Sequence, residues 1–330
     1  MGSTMQNKTL RITAPGPLST IQDAGRRGFQ ASGFSPGGAM DLPAARAANL
    51  LVGNAMDMAV LEMTMMGITA KFECVVHFAL TGADFDAHLN DAPIPAYQAI
   101  HARAGDELRC GFAVTGCRGY LAVAGGFAVE PVLGSCSTNL KCGIGGFEGR
   151  KLAAGDALPL RWPELPFSRV IDYRMPAPSH VKRNARAGAA NITLRAVPGP
   201  QESAFTEEGI AQFFGSPYAV TPASDRMGIK LEGAKIETHA GSDIISDGIA
   251  AGSVQVPASG QPIVMMADRQ TTGGYAKIAT VISADIHLLA QARPGDVVRF
   301  VSVDVREAQD IARRAAREMK QLEYHFQTLR

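Results

Sequence analysis

A chain of 330 residues with 46% hydrophobic and 19% charged side chains is long enough for two cores and has the composition of an ordinary globular protein. Its formal net charge of +1 excludes the basic footprint of a nucleic-acid binder and a polybasic membrane patch. No apolar run approaches the roughly 20 residues that span a bilayer, and no signal-like block follows a basic start, so the chain reads as cytoplasmic with no membrane partner.

Thirty-five glycines against 6% aromatics point to many tight turns and a β-rich fold with loop-built sites. Five cysteines (Cys74, Cys110, Cys117, Cys136, Cys142) form no Cys-x-x-Cys pair, which fits reduced thiols and speaks against a structural zinc site.

In chain order, Leu10 to Ala14 alternates apolar and polar and predicts a strand, stopped by Pro15-Gly16-Pro17. The polar loop from Thr20 to Gln30 holds Gln22, Asp23, Arg26 and Arg27. Asp41 is an N-cap for a helix from Leu42 to Leu51, with Pro43 tolerated in its first turn and Gly53 as its stop. From Ala59 to Val129 short strands alternate with turns: a strand over Val75 to Leu80, turns at Thr81-Gly82-Ala83-Asp84 and Asn90-Asp91, and strands around Leu108 and Tyr120. Ala104-Gly105-Asp106, Ala154-Gly155-Asp156 and Pro294-Gly295-Asp296 repeat one device, a Gly-Asp turn that delivers the chain into a strand. That recurrence predicts barrels assembled from hairpins.

Gly143-Ile-Gly-Gly-Phe-Glu-Gly149 misses the dinucleotide spacing, with Glu148 at the sixth position and no long helix after it. A Gly-x4-Gly-Lys-Ser/Thr phosphate loop is absent as well. Pro163 to Ala190 is rich in Pro, Arg and small residues, which divides the chain into a first half over 1–165, a linker over 166–190 and a second half over 191–330.

Ile192 to Pro200 echoes Leu10 to Pro17, a strand running into Pro-Gly-Pro in each half, and hints at an internal duplication. Ser224-Asp-Arg-Met-Gly228 leads into a strand over Ile229 to Leu231, and Ile244-Ile-Ser-Asp-Gly-Ile249 comes next. A short helix is expected over Ala284 to Arg293, stopped by Pro294. A long one is expected from Asp304 to Leu329, with Val305, Ala308, Ile311, Ala312 and Met319 on a face that reads as core.

The stretch from Gln255 to Ile282 organises the rest. Its apolar runs Ile263 to Ala267 and Ile278 to Ile282 read as buried neighbouring strands. Between them, Asp268, Arg269, Gln270, Thr271, Thr272 and Lys277 gather two cations, a carboxylate, an amide and two hydroxyls, and Gly273-Gly274 lets backbone N–H groups turn toward a ligand. This composition suits a small anion or a polarised carbonyl; the competing reading is a solvated ion pair beside a plain turn. Asp225-Arg226, and Gln22-Asp23 with Arg26, repeat the pattern, in which Arg offers a planar fork and Asp orients it or acts as a base. Gly-x-Ser-x-Gly and His-Glu-x-x-His are missing, and seven histidines lack ligand spacing, so no metal is expected.

At Thr20-Ile-Gln-Asp-Ala-Gly-Arg26, Gly38-Ala-Met-Asp41 through Asn54, Ser224-Asp-Arg-Met-Gly228 and Gln255 to Ser283 the sequence closely resembles the biotin-dependent carboxyltransferase family of the allophanate hydrolase subunit 2 type. The Ala-Asp-Arg-Gln-Thr-Thr-Gly-Gly-Tyr run is specific, and the resemblance spans about Leu10 to Phe300. It implies a mainly β protein with short helices, built as two linked cyclophilin-like β-barrel halves, to which the sequence adds a C-terminal helix.

It also implies the role of the C-type component in an ATP-dependent 5-oxoprolinase that opens 5-oxoproline to L-glutamate. Its partners would be a B-type component of the allophanate hydrolase subunit 1/KipI kind and an A-type component of the LamB/YcsF kind. Two alternatives stay open: a carboxyltransferase subunit that uses carboxybiotin carried by a partner, and a KipA-type regulatory binding protein. ATP would act through the assembled complex. Covalent biotin on this chain is not expected, because the only Met-Lys pair, Met319-Lys320, falls inside the predicted helix. The candidate catalytic residues are Asp268, Arg269 and Lys277. Those for binding a small-molecule substrate are Gln22, Asp23, Arg26, Asp225, Arg226, Gln255, Gln270, Thr271, Gly273, Gly274 and Tyr275.

Overall fold

The computed structural model of the chain describes residues 8–162, 174–178, 188–239 and 241–328. The chain divides into two compact units, the first made of Met1–Arg27, Gly37–Ala185 and Lys320–Arg330, the second of Gly28–Pro36 and Arg186–Met319. Most of the linker expected over 166–190 lies outside the described residues.

The first unit contains β1 (Thr9–Ala14), β2 (Leu18–Gln22), α1 (Leu42–Leu51), β3 (Val60–Thr64), β4 (Thr69–Phe72), β5 (Val76–Asp84), β6 (His88–Leu89), β7 (Ala92–Pro93), β8 (Ala99–Ala102), β9 (Glu107–Arg109), β10 (Thr115–Val123) and β11 (Ala157–Pro159). They make two sheets, in the orders β11-β1-β4-β9-β6-β7 and β2-β3-β10-β5-β8. Alternation buries Leu10 and Ile12 of β1 and leaves Thr13 exposed, whereas every residue of β10 is buried. The sheets enclose one apolar core that includes Leu10, Ile21, Leu61, Phe72, Phe78 and Leu121.

Helix α1 is set by its ends. Asp41 Oδ1 accepts the Ala44 N–H at 3.0 Å, Pro43 occupies the first turn, and Gly53 follows the C-cap at φ 82°. Its start is tied to the second sheet as well, because Tyr120 Oη accepts the Asp41 N–H at 2.7 Å and donates to Glu62 at 2.9 Å.

The three Gly-Asp turns share one hydrogen-bond scheme. Asp106, Asp156 and Asp296 each accept, through a side-chain oxygen, the N–H three residues back, at 2.7, 2.8 and 2.8 Å. In each the glycine has φ between 89° and 95°, the left-handed region that favours a residue without Cβ. One expected turn is absent: Thr81-Gly82-Ala83-Asp84 continues strand β5. Gly82, at φ 78°, serves an irregularity in the pairing with β10, where a Cβ would fall 2.4 Å from Arg118 O.

The second unit contains β12 (Asn191–Pro198), α2 (Glu207–Gly215), β13 (Tyr218–Val220), β14 (Gly228–Gly233), β15 (Asp243–Gly248), β16 (Ser253–Gln255), β17 (Ile263–Met265), β18 (Thr272–Tyr275), β19 (Lys277–Val281), α3 (Ile286–Ala290), β20 (Val297–Ser302) and the larger part of α4 (Val305–Thr328), whose residues from Lys320 on belong to the first unit. Seven strands close a barrel in the order β12-β19-β16-β17-β14-β13-β20, sealed by the parallel pairing of β12 with β20. Leu194, Val254, Val264, Ile278 and Phe300 are buried in it, and Phe213 of α2 stacks on Phe300 with ring centroids 4.4 Å apart. Strands β15 and β18 pair with each other as a two-stranded ribbon.

The chain is therefore mainly β in two halves, with closure into one continuous barrel in the second. The runs at Ile263 and Ile278 are not neighbours, because β16 lies between β17 and β19. The Pro-Gly-Pro echo is one of sequence and not of topology: β1 has two antiparallel neighbours, β12 has one parallel and one antiparallel, and only Gly16 has positive φ. The apolar face of α4 is not core either, since Val305 is exposed, Ala308, Ile311, Ala312 and Met319 are half-buried, and only Phe326 is buried, in the first unit. All five cysteines are free thiols. Among the described residues, no helix is long and apolar enough to cross a membrane.

His77 on β5 is buried and faces His101 on β8, with ring centroids 4.9 Å apart. Burial, and then the neighbouring His101, hold its pKa below the ordinary value of 6.5. The unfolded chain therefore binds the proton more readily, so no penalty exists above about pH 6.5, and stability falls as pH drops through the lower folded value. We expect the melting temperature to fall between pH 7.5 and 5.5, and the fall to shrink in His77→Gln; equal slopes in thermal unfolding at the two pH values would show that His77 does not report this burial.

Candidate functional site

In the second unit, the loops before β14 and after β17 continue that strand pair. Asp225 Oδ1 accepts the N–H groups of Met227 and Gly228 at 2.8 and 3.1 Å, a turn that sends Arg226 inward. The Asp268 N–H donates to Arg226 O at 2.9 Å, and the Arg226 guanidinium returns a bidentate contact, with Nε and Nη2 at 2.8 and 3.0 Å from the two Asp268 oxygens. The partner of Asp268 is thus Arg226, and not the adjacent Arg269 that the sequence suggests. Asp268 and Arg269 sit in a turn closed by the Arg269 N–H on Met266 O at 3.3 Å, and their side chains find different partners, so sequence adjacency does not make an ion pair.

Arg269 is 7% exposed, and its Nε and Nη1 donate to the carbonyls of Ile249 and Met266 at 3.0 and 3.1 Å. No carboxylate pairs with it among the described residues. Burial presses its pKa below the ordinary value, yet a guanidinium keeps its proton in a protein. The result is a desolvated positive charge whose Nη2 has no hydrogen-bond partner among the described residues.

Lys277, at the start of β19, has a side chain 3% exposed and donates to Asp247 Oδ2 at 2.6 Å and Gly248 O at 3.1 Å. Gln255, paired in register with Lys277, donates to Tyr275 O at 3.4 Å. Gly273 and Gly274 do not form the plain turn of the competing reading; both are strand residues of β18 without positive φ. What Gly273 supplies is room, since a Cβ there would lie 2.8 Å from Gln255 Nε2 and 3.2 Å from Gln270 Nε2. Thr271 and the 39%-exposed Tyr275 flank these positions on the ribbon.

Gln22, Asp23 and Arg26 belong to the first unit and make a separate cluster. Asp23 accepts from Ser135 Oγ, Ser137 Oγ and the Cys136 N–H, each at 2.6 Å. Arg26 donates to the carbonyls of Val132 and Ser137 at 2.9 and 3.0 Å, and Gln22 to Thr138 O at 3.2 Å. Asp23 and Arg26 thus grip the same segment without pairing with each other. Gln22 and Arg26 are fully buried, and Gln22 Oε1 and Arg26 Nη1 have no hydrogen-bond partner among the described residues.

Sequence reasoning missed Asp247, Gln201 and Ile249 in the second unit, and Ser135 and Ser137 in the first. Asp247-Gly248 carries the signal of a turn, and a carbonyl such as that of Ile249 carries none. Among the described residues, no group of three or more His, Cys, Asp or Glu is placed to hold a metal ion.

Residues 32–302 match the carboxyltransferase domain, subdomain A and B. The C subunit of Escherichia coli (strain K12) 5-oxoprolinase is 42% identical over 299 residues, 91% of this chain and 93% of that one. Its counterpart in Haemophilus influenzae is 41% identical over 300 residues, 90% of this chain and 92% of that one. The crystal structure of Kluyveromyces lactis urea carboxylase shares the fold, with a TM-score of 0.88 and 29% identity over 97% of this chain, which spans 30% of that longer one. The chain belongs to the carboxyltransferase family defined by subdomains A and B.

Proposed function

We propose that this chain is the C-type component of a 5-oxoprolinase, opening the lactam of 5-oxoproline to L-glutamate with ATP in a complex with components of the B and A types. The observation that carries this reading is the 42% identity to the E. coli 5-oxoprolinase protein across 91% of this chain and 93% of that one. The chemistry of the second-unit site supports it. The substrate has a carboxylate that is anionic at neutral pH and a planar amide whose oxygen gains negative charge when the ring opens. Donors fixed before that charge develops stabilise it best. Arg269 Nη2 and the remaining N–H of Lys277 are such donors, held by the carbonyls of Ile249, Met266 and Gly248. Asp268, with both oxygens on Arg226, acts in this reading as an orienter and not as a base.

A second reading, carboxyl transfer, is favoured by the TM-score of 0.88 to the urea carboxylase. A carboxylated ureido group is also planar and anionic, and the same unengaged donors fit it. When bound, carboxybiotin from a partner would supply the carboxyl group; Arg269 and Lys277 would hold and orient it.

Co-expression with the B-type and A-type components should give a stable complex that forms L-glutamate from 5-oxoproline and ATP, while the isolated chain does not. Activity of the purified chain alone, or turnover of carboxybiotin in place of 5-oxoproline, would overturn the reading. Within that complex, Arg269→Lys keeps the charge and loses the fork, which should cost about 2 kcal/mol of transition-state stabilisation, roughly 30-fold in kcat/KM. Asp268→Asn removes the charge from the bidentate contact to the buried Arg226, so thermal unfolding should show a loss of about 1–3 kcal/mol; an unchanged melting temperature would mark the pair as solvated.

A further inference from the structure

Both substrate-facing cations are held from one short segment at the end of the ribbon strand β15. Lys277 Nζ donates to Asp247 Oδ2 and Gly248 O, and Arg269 Nε donates to Ile249 O. Three consecutive residues therefore fix two side chains that come from different parts of the barrel. An ammonium has three N–H donors, and two are used here.

The carboxylate is itself braced. Gln201 Nε2 donates to Asp247 Oδ2 at 3.4 Å, while Gln201 Oε1 accepts the backbone N–H of Lys277 at 3.2 Å. Gln201 follows the Pro198-Gly199-Pro200 turn, and Gly199 packs so closely that a Cβ there would fall 2.1 Å from Lys277 O. One turn thus clamps the backbone of Lys277 and the counter-ion of its side chain. Lys277, and then the Gly248 N–H, hold the Asp247 carboxyl below the usual carboxylate range, so it is charged at neutral pH.

We propose that Asp247 is a positioning residue of this site: it does not touch substrate, but holds the Lys277 ammonium in register with Arg269 so that their remaining N–H donors face one anionic or polarised oxygen group. The proposal rests on the reading of Lys277 and Arg269 as substrate-facing. The Asp247 side chain is 55% exposed but that of Lys277 only 3%, so loss of the carboxylate strips a buried ammonium of its counter-charge and costs stability as well as position. Rescue by glutamate and the division of the effect between kcat and KM tell positioning from folding.

The test has two arms. In the assembled 5-oxoprolinase complex, Asp247→Asn keeps the shape and removes the charge. Misplacement of a donor by a fraction of an ångström to 1 Å should lower kcat on the order of 10- to 100-fold, with a smaller change in KM, read at a temperature below the onset of unfolding of the variant. Asp247→Glu should recover part of the loss. A kcat equal to the parent's, or a loss fully accounted for by a fall in melting temperature, would overturn the proposal.

The second arm uses the full chain alone, labelled with [13Cε]-lysine, with the Lys277 signal assigned through Lys277→Arg. An ordered Lys277 should give a resonance displaced from those of the exposed lysines, moving to join them in Asp247→Asn and returning in Asp247→Glu. A signal that does not move overturns the positioning role whether or not the complex opens 5-oxoproline. A signal that moves while the complex shows no such activity supports the positioning role and places the fault in the functional reading.

Discussion

The second unit is organised around the cost of taking three cations out of water. Arg226, Arg269 and Lys277 are all buried, and an ammonium or guanidinium loses far more hydration on burial than a few neutral hydrogen bonds restore. Asp268 pairs with Arg226 and Asp247 with Lys277. Arg269 has only carbonyl dipoles among the described residues. A buried cation with no carboxylate beside it among the described residues favours an incoming anion, because the ligand supplies the missing charge where water is already excluded.

The barrel makes this arrangement possible by the way it separates β17 from β19. With β16 between them, the segment linking them has to travel, and it does so as a ribbon with β15 and not as a tight hairpin. The ribbon brings Asp247, Gly248 and Ile249 back over the ends of the barrel strands that carry Lys277 and lead to Arg269. A hairpin between adjacent strands would have left both cations with no such return segment. Pairing of β12 with β19, with Pro198 opposite Ala279, in turn fixes the Pro-Gly-Pro turn that carries Gln201 against Lys277.

Much of the fold was legible in local chemistry. Asp41, Pro43 and Gly53 mark the ends of α1, and three Gly-Asp pairs announce three strand entries with one hydrogen-bond scheme, because caps and turns depend on residues within a few positions of each other. The polar residues of Asp268 to Lys277 likewise exceed what packing requires. The pairing of that set was not legible. Lys277 meets Asp247 from 30 positions away, and Arg226 meets Asp268 from 42, distances over which only strand order decides who meets whom. Thr81 to Asp84 misleads for a related reason: Gly82 has the backbone freedom of a turn residue but uses it at an irregularity inside a strand. The apolar positions of α4 keep helical spacing, yet periodicity says which residues share a face and not what covers it.

Buried polar groups occur in both units, and accessibility separates their meaning. In the first unit, Gln22 and Arg26 are sealed from solvent, and Asp23 spends both oxygens on the Ser135 to Ser137 segment. A group enclosed on all sides stabilises its own loops. In the second unit, the buried cations are bordered by half-exposed or exposed residues, Asp247, Tyr275 and Asp268 among them. The covering strands β15 and β18 are the most exposed of that unit, with Ile245 95% exposed. Desolvated charge beneath an exposed two-stranded cover combines strong electrostatics with a route for a ligand, and it is this combination, more than the count of polar residues, on which the proposed site in the second unit rests.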